Sequence, residues 1–569
     1  MTLQRRMRLA LLDGETLGES LDRIARAAPR SRATFPTAGD SITTAELAAA
    51  SAASAHAFLR AGVRPGDVVG VLVPTAARFL TTVFGLWRAG AAIGVLPVQA
   101  GFTDARAAAR RIARLAGAAG MRRVVLDHDY VDIGRHLAAA RPGLGLLPPP
   151  APGGTGDARS LPAVDPDALA IVQFTSGSTR PPRGVALPHR TVMAGLRARV
   201  ASGAFSPDDV LVQWVPTHHD TGLLGLAAHW LNGADVHVFA PAAFLRRPST
   251  VLEHLAAHRG TVVAGPNFSY DHLLDSVPPA RLAALDLSHW RLAFNGAEPV
   301  GAATVRRFTA ALAASGVGPS VMCPVYGMAE ATLSISHPAP GEPAAIRAVD
   351  RDELGRNGVA RPVEPTAPAA KPVVSLGRVA RGVDVRVVGA DGAAAGDGVL
   401  GEIRIAGPAV APGYWLDPAA TEAAFTGGRL RTGDLGFLLD GELYVTGRRD
   451  ELIAVQSRTW FPDDVEQVAR TAPGVHRRHC VAFRDESAGG GERIGVVVEA
   501  REDPAAVHRE VSRRVAAELD LSAVRVYVVA PRWIPRTTSG TWQRVLAARR
   551  IAAGRDARIL IGTRGGKSR

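Results

Sequence analysis

The chain has 569 residues, too many for one ordinary domain, so two or three folded units are expected. An apolar fraction of 47% and a mean hydropathy of +0.08 describe a globular protein with ample core, and no run reaches the roughly 18 apolar residues of a membrane helix. The net charge of +13 does not read as a nucleic-acid footprint, because the arginines are dispersed and no basic block is interleaved with aromatics.

Met1 to Leu12 carries an apolar run too short for a signal core, and Asp13 and Glu15 follow at once. Cys323 and Cys480 lie far apart and suit a reducing compartment rather than a disulfide framework or a metal site. Cytoplasm is the expectation. Thr43-Thr44-Ala45-Glu46 predicts a helix start, with Ala/Leu periodicity to about Leu59. Val68 to Val73 reads as a buried strand, Phe79 to Ala89 as a helix and Ala92 to Val98 as a strand, an alternation that predicts layered α/β architecture. Residues 148–166, rich in Pro and Gly, predict a surface connection. Ala168 to Val172 reads as a strand, and the α/β alternation resumes through residue 336. Residues 338–374 read as irregular. From 375 to 447 short β runs dominate: Val383–Val388, Gly401–Ile405 and Glu442–Val445. After Arg448 a smaller unit is expected, with strands at Gly495–Glu499 and Val524–Val529 and an amphipathic helix near 505–519. The tail, Gly562 to Arg569, is polar and basic, and the chain has no internal repeat.

The densest local signal is Phe174-Thr175-Ser176-Gly177-Ser178-Thr179-Arg180-Pro181-Pro182-Arg183-Gly184-Val185. Hydroxyls donate, glycines let backbone N–H groups approach, and Arg183 adds charge, so such a loop can wrap phosphate oxygens; a plain linker is the structural alternative. It is not a Walker A loop, because no Gly-Lys-Ser/Thr follows. Five further segments stand in order. They are Trp214-Val215-Pro216-Thr217-His218-His219-Asp220-Thr221-Gly222-Leu223, Gly265-Pro266-Asn267-Phe268-Ser269-Tyr270-Asp271, Phe294-Asn295-Gly296-Ala297-Glu298-Pro299-Val300, Val325-Tyr326-Gly327-Met328-Ala329-Glu330-Ala331-Thr332, and the pair Leu430-Arg431-Thr432-Gly433-Asp434-Leu435-Gly436 with Tyr444-Val445-Thr446-Gly447-Arg448. In wording and order these segments resemble the fatty acyl-AMP ligases of the acyl-adenylate-forming superfamily, from about residue 30 to residue 550.

The resemblance implies a large N-terminal adenylation domain, residues 1–447, built of α/β layers and a β-rich subdomain, and a small mobile α+β domain, residues 448–569, with a hinge near Asp450. It implies ATP and Mg²⁺ as cofactors, and a fatty acid or related carboxylic acid activated as acyl-AMP with loss of pyrophosphate. The acyl group then passes to the thiol of an acyl carrier protein or of a polyketide or peptide synthase carrier domain. The 175–184 loop would supply phosphate donors. Glu330 would be the Mg²⁺ ligand, or else a solvated helix carboxylate. Tyr326 would stack on adenine, or else be a core aromatic. Asn295, Gly296, Ala297, Glu298, Gly327, Met328, Ala329 and Thr332 would line the nucleotide. Asp434, helped by Arg448, would accept from the ribose hydroxyls, or else be a turn residue. His219 would lie near the acyl carboxylate, or else be a satisfied core histidine. His218, Asn267 and Phe268 would border the acyl pocket.

Two features are similar to the AMP-ligase branch rather than to acyl-CoA ligases. Val349-Asp350-Arg351-Asp352-Glu353-Leu354-Gly355-Arg356-Asn357-Gly358-Val359-Ala360 resembles that branch's insertion, expected at about 338–374, which restrains domain rotation and disfavours CoA. Arg458-Thr459-Trp460-Phe461-Pro462-Asp463-Asp464-Val465-Glu466 resembles its segment after the hinge.

There are departures. Arg180 stands at a Gly position of the phosphate loop, Arg183 at a Lys position, and Ser457 at a Gly position after the hinge. The family's C-terminal loop, P-K-T-x-S-G-K-x-x-R, here reads Pro535-Arg536-Thr537-Thr538-Ser539-Gly540-Thr541-Trp542-Gln543-Arg544, with Thr541 at the catalytic Lys position. Only Lys371 and Lys567 are lysines. A neutral hydroxyl cannot replace a cation at developing negative charge; Arg536 or Arg544 could reach in, but the wide planar guanidinium is not a matched substitute, and Arg180, an extra cation in the phosphate loop, is the compensating candidate. The readings are a working acyl-AMP ligase, an enzyme activating another acid, a non-catalytic homologue that binds nucleotide, acyl-AMP or a carrier protein, and, disfavoured by the insertion, an acyl-CoA ligase.

Overall fold

A computed structural model describes residues 15–98, 104–151, 156–175, 182–455, 458–486, 493–519, 521, 524–537, 541–554 and 556–561. The predicted helix start is a capping box: Thr43 accepts from the Glu46 N–H, and Glu46 accepts from the Thr43 N–H, opening the helix Thr44–Arg60. The neighbouring apolar runs form the strand Val68–Leu72, the helix Ala77–Arg88 and the strand Ala92–Val95.

The α/β alternation builds two seven-stranded sheets. In the first the order is Met322–Pro324, Leu292–Asn295, Val262–Gly265, Val210–Gln213, Asp235–Val238, Arg32–Phe35, Asp40–Thr43, parallel except for the last. Parallel strands end on one edge, so the loops 214–219, 266–268, 296–300 and 325–330 emerge side by side, where ligands of open α/β sheets bind. The second sheet runs Gly413–Tyr414, Gly184–Pro188, Leu169–Phe174, Ala92–Val95, Val68–Leu72, Arg123–Leu126, Gly145–Leu147. Leu169–Phe174 and Gly184–Pro188 are antiparallel neighbours, so the hydroxyl-rich segment connects a β-hairpin.

One apolar core joins the two sheets through the helices Ala77–Arg88, His189–Ser202 and Asp220–Trp230. Trp87 and Trp230 are among its largest fully buried side chains, each removal from water giving roughly 1.5–3 kcal/mol. Trp87 keeps its indole N–H satisfied on the Ala170 carbonyl at 2.9 Å, so burial there leaves no orphan donor.

The β-rich segment forms a five-stranded sheet of Asp384–Val388, Gly401–Ala406, Arg429–Leu439, Phe425–Thr426 and Glu442–Arg448. The region read as irregular is in part ordered. Ile346–Asp350 pairs antiparallel with Ala370–Val374, and between them Asp350 caps the short helix Arg351–Asn357 by accepting from the Asp352 and Glu353 N–H groups. The smaller C-terminal unit has a sheet of Val475–Asp485, Arg493–Ala500, Val524–Val529 and Ile559–Ile561. The helix Pro504–Leu519 buries Val507, Val511, Val515 and Leu519, one stripe at four-residue spacing, against it. Among the described residues no helix is long and apolar enough to cross a membrane, and Cys323 and Cys480 are free and buried.

Candidate active site

The rim of the first sheet carries two closely approaching loops. A Cβ on Gly296 would lie 2.6 Å from the Val325 carbonyl oxygen, and one on Gly327 would lie 1.6 Å from that of Leu333, so only glycine fits either position. Ala297 and Thr332 hold left-handed backbone, φ +65° and +51°, a cost that folds tolerate where surroundings over-determine the conformation. Tyr326, 8% exposed, donates its hydroxyl to Asp434 Oδ2 at 2.6 Å. Arg448 Nη1 reaches Asp434 Oδ1 at 3.1 Å, and Arg448 Nε reaches Asp450 Oδ1 at 3.1 Å. Burial lifts the Asp434 carboxyl above its ordinary value despite Arg448 and the Tyr326 bond. Burial opposes the Arg448 cation, but Asp434 and Asp450 outweigh it and hold it more firmly protonated.

Asn295 is fully buried and donates to Asn267 Oδ1 at 2.9 Å. Asn267 also accepts from the Gly301 N–H at 3.2 Å and donates to the Pro299 carbonyl at 2.5 Å, so the two amides brace the 296–301 loop. Glu298 Oε1 accepts from the Phe268 N–H at 3.2 Å. Met328 is half-buried and Ala329 buried beside them. Thr332 turns inward, its hydroxyl on the Ala409 carbonyl at 2.7 Å and its side chain against Gly195.

On the other side stands the hairpin loop. The Thr175 N–H donates to the Arg183 carbonyl at 2.9 Å, and the Arg183 N–H donates to Thr175 Oγ1 at 3.1 Å. Ser176, Gly177, Ser178, Thr179 and Arg180 lie outside the described residues. Gly184 opens the return strand. The Arg183 guanidinium lies 5.1 Å from the Tyr414 ring centre and 3.9 Å from Asp417 Oδ2. Tyr414 donates its hydroxyl to Glu330 Oε1 at 3.0 Å. Burial, then the charges of Asp220 and Asp434, push the Glu330 carboxyl above its ordinary value against the Tyr414 bond. The sequence reading missed Tyr414. It lies 84 residues from Glu330 in a stretch with no phosphate-loop wording, and only pairing of Gly413–Tyr414 with Gly184–Pro188 brings it in.

The third wall is aromatic. His218 and His219 lie with ring centres 4.4 Å apart, and His219 stands before the helix Asp220–Trp230. Gln173 Nε2 donates to the His218 carbonyl at 2.8 Å, tying this loop to the hairpin strand. His218 Nε2 is buried and makes no hydrogen bond among the described residues. Burial, followed by the charges of His219 and Arg111, holds this imidazole well below its usual value, so it is neutral near pH 7. Trp214 stacks on Phe244 at 4.1 Å and meets the edge of Phe268 at 5.9 Å. Beneath lies an apolar cavity of about 20 Å³ lined by Trp214, Phe244, Val251, Leu252 and Leu255.

The family described as AMP-binding enzyme matches residues 21–415. The chain belongs to the AMP-binding enzymes, among the fatty acyl-AMP ligases. It is 34% identical over 431 residues to the medium-chain-fatty-acid–[acyl-carrier-protein] ligase JamA of Moorena producens, covering 71% of this chain and 72% of that one. It is 30% identical to the long-chain-fatty-acid–AMP ligase FadD28 of Mycobacterium tuberculosis, covering 84% and 87%. A solved structure from studies of fatty acyl-adenylate ligases of E. coli and L. pneumophila superposes with a TM-score of 0.87 at 29% identity, covering 95% of this chain and 98% of that one.

Set against this AMP-binding core, the C-terminal loop distinguishes the three candidate arginines. The Thr537 N–H donates to the Thr541 carbonyl at 2.9 Å, and the Thr541 N–H donates to Thr537 Oγ1 at 3.1 Å. Arg544 is locked inside the small unit, its Nε on Glu466 at 2.6 Å and its Nη1 on Glu451 at 2.8 Å. Arg536 stacks on Trp542 at 3.6 Å and donates to His479 Nε2 at 2.8 Å, which leaves His479 Nδ1–H for Glu499. Burial pulls the Arg536 guanidinium down to about 10, against the charges of Glu499 and of Glu298 in the 296–300 loop. Arg180 and Ser457 lie outside the described residues.

The segment Ile346–Val374 grips the same unit. Lys371 Nζ is 2.6 Å from Asp464 Oδ1 and 4.2 Å above the Phe461 ring. Arg458 Nη2 reaches Asp352 Oδ1 at 2.6 Å, and Arg351 Nη1 donates to the Glu518 carbonyl at 3.4 Å.

Proposed function

We propose that the chain joins a fatty acid or related carboxylic acid to ATP as the acyl adenylate and passes the acyl group to an acyl carrier protein or a polyketide or peptide synthase carrier domain. The relatives named for carrier-protein and AMP ligation support this reading. The observation that carries it is the meeting, at one sheet rim, of the Tyr326–Asp434–Arg448 set, the Glu330–Tyr414–Arg183 set and the aromatic cavity wall.

In this reading a carboxylate oxygen attacks the α-phosphorus of ATP, the bond from the α-phosphorus to the bridging oxygen breaks, and pyrophosphate leaves with that electron pair. Asp434 accepts from the ribose hydroxyls, and Tyr326 orients that carboxylate while offering its ring to adenine beside Gly296, Ala297 and Glu298. Hydroxyls and backbone N–H groups of Thr175 to Thr179, with Arg180 and Arg183, hold the phosphates. Glu330 fits a Mg²⁺ ligand: its half-buried carboxylate stands among the charges of Asp220 and Asp434, and a hard cation relieves that repulsion. Mg²⁺ would lend positive charge to the phosphate oxygens. His219 lies near the acyl carboxylate, and His218, Asn267 and Phe268 border the acyl pocket. The unit after residue 448 turns about Asp450 between the two half-reactions. The two free thiols suit a cytoplasmic enzyme.

Thr541 favours a second reading, a homologue that binds acyl-AMP without making it. Purified protein incubated with ATP, Mg²⁺ and fatty acids from short to long, with acyl-AMP detected by mass spectrometry, separates the two. The ligase reading expects acyl-AMP from one chain-length class. Tight binding of a non-hydrolysable acyl-AMP mimic with no acyl-AMP from any acid establishes the second.

A further inference from the structure

Away from this rim, three histidines meet where a helix that lines the aromatic cavity packs on the first sheet. His237 lies on the strand Asp235–Val238, and His254 and His258 stand four residues apart at the end of the helix Pro248–Ala257, one above the other on one face. Each offers a ring nitrogen, and these nitrogens all lie within 4.8 Å of one another. The ring centres of His254 and His258 are 4.0 Å apart, and His237 is 4.8 Å from each. Among the described residues the only hydrogen bond these rings make is to each other, His254 Nε2 with His237 Nδ1 at 2.8 Å. His237 is nearly buried, His254 half-buried and His258 exposed.

We propose that His237, His254 and His258 form a three-histidine site for a divalent transition ion of the zinc class, its fourth coordination position facing solvent at His258. Three imidazoles without a carboxylate suit zinc, copper or nickel rather than magnesium or calcium. Tetrahedral zinc at about 2.0–2.1 Å from each nitrogen places ligand nitrogens about 3.3 Å apart, so the His237–His254 pair opens by about 0.5 Å and the wider spacings, within 4.8 Å, close by up to about 1.5 Å. The ion would tie the helix to the sheet, and on that helix Val251, Leu252 and Leu255, which line the aromatic cavity, adjoin the histidine stripe.

Untagged full-length protein, stripped with a chelator and titrated with Co²⁺, is expected to take up one equivalent with the intense visible absorption of a tetrahedral site, and Zn²⁺ is expected to displace it. His254→Ala and His258→Ala are each expected to weaken binding at least about 100-fold, because each removes one of three protein ligands. His258 is exposed, so its loss leaves packing intact. An unchanged Tm of the metal-free His258→Ala protein, with the Zn²⁺-induced rise in Tm abolished, assigns the effect to ligation. The site is overturned if the unsubstituted protein binds Co²⁺ only above millimolar concentration, or if His254→Ala/His258→Ala binds as tightly as the unsubstituted protein.

Discussion

At the insertion a lysine ammonium, 9% exposed, is held 2.6 Å from the equally enclosed Asp464; at the C-terminal loop, where the family pattern places a lysine, stands the hydroxyl of Thr541. Within that loop Arg536 carries a planar guanidinium stacked on Trp542, under the charges of Glu499 and Glu298. In a chain with 66 lysines and arginines but only two lysines, a compact point charge is kept for an enclosed contact between the 346–374 segment and the small unit, and a flat, delocalised one occupies the C-terminal loop. The comparison teaches that in the proposed ligase the charge the loop lacks at Thr541 has to come from an arginine, with Arg536 the described candidate.

The largest effect is expected from the clamp. Lys371→Met leaves Asp464 enclosed and unpaired and is expected to cost about 3–5 kcal/mol of local stability, read as faster hydrogen exchange in residues 458–469. Lys371→Met combined with Asp464→Leu is expected to recover most of the loss, since an apolar pair needs no counter-charge. At the loop, Arg536→Ala is expected to lower acyl-AMP formation about 10²–10³-fold with affinity for an acyl-AMP mimic little changed; an equal loss of both would make Arg536 a binding residue only. Thr541→Lys is expected to raise acyl-AMP formation about tenfold, less than the full value of such a contact because Arg536 already supplies charge. No gain from Thr541→Lys, together with no loss from Arg536→Ala, would break the comparison.

The smallest effect is a matter of pH. Burial holds the Glu330 carboxyl above 4.5, so the folded chain binds this proton more tightly than the unfolded chain does. Protonation therefore favours the fold as pH falls through the raised value, and that contribution is lost as pH rises above it. Glu330→Gln is expected to raise the Tm of the ligand-free protein at neutral pH and to flatten its rise on acidification, while abolishing acyl-AMP formation. A lower Tm at neutral pH would contradict this sign.

The sheet rim was legible in the sequence because each motif follows a buried strand, and parallel strands deliver their following loops to one edge. The capping box at Thr43 and Glu46 and the four-residue stripe of Pro504–Leu519 were legible for the same local reason. What the sequence hid depends on long-range pairing. Tyr414 reaches Glu330 through a strand whose partner lies more than 200 residues earlier. The paired strands of the insertion are five residues each, separated by a Pro- and Ala-rich stretch that weakens any alternation. That Arg544 is locked follows from Glu466 and Glu451, and that Arg536 is held aside follows from His479 and Trp542, which no spacing in the loop motif announces. The aromatic wall of Trp214 and Phe244 is assembled from separate elements for the same reason.

Lys371 has one more consequence, in the language of chemical labelling. A chain with two lysines offers few amines to acylating reagents, and this one is shielded by Asp464 and Phe461 while the clamp is closed. Its modification rate is then a direct meter of how often the insertion lets go of the small lobe, readable by peptide mass at a single site without a probe or a substitution.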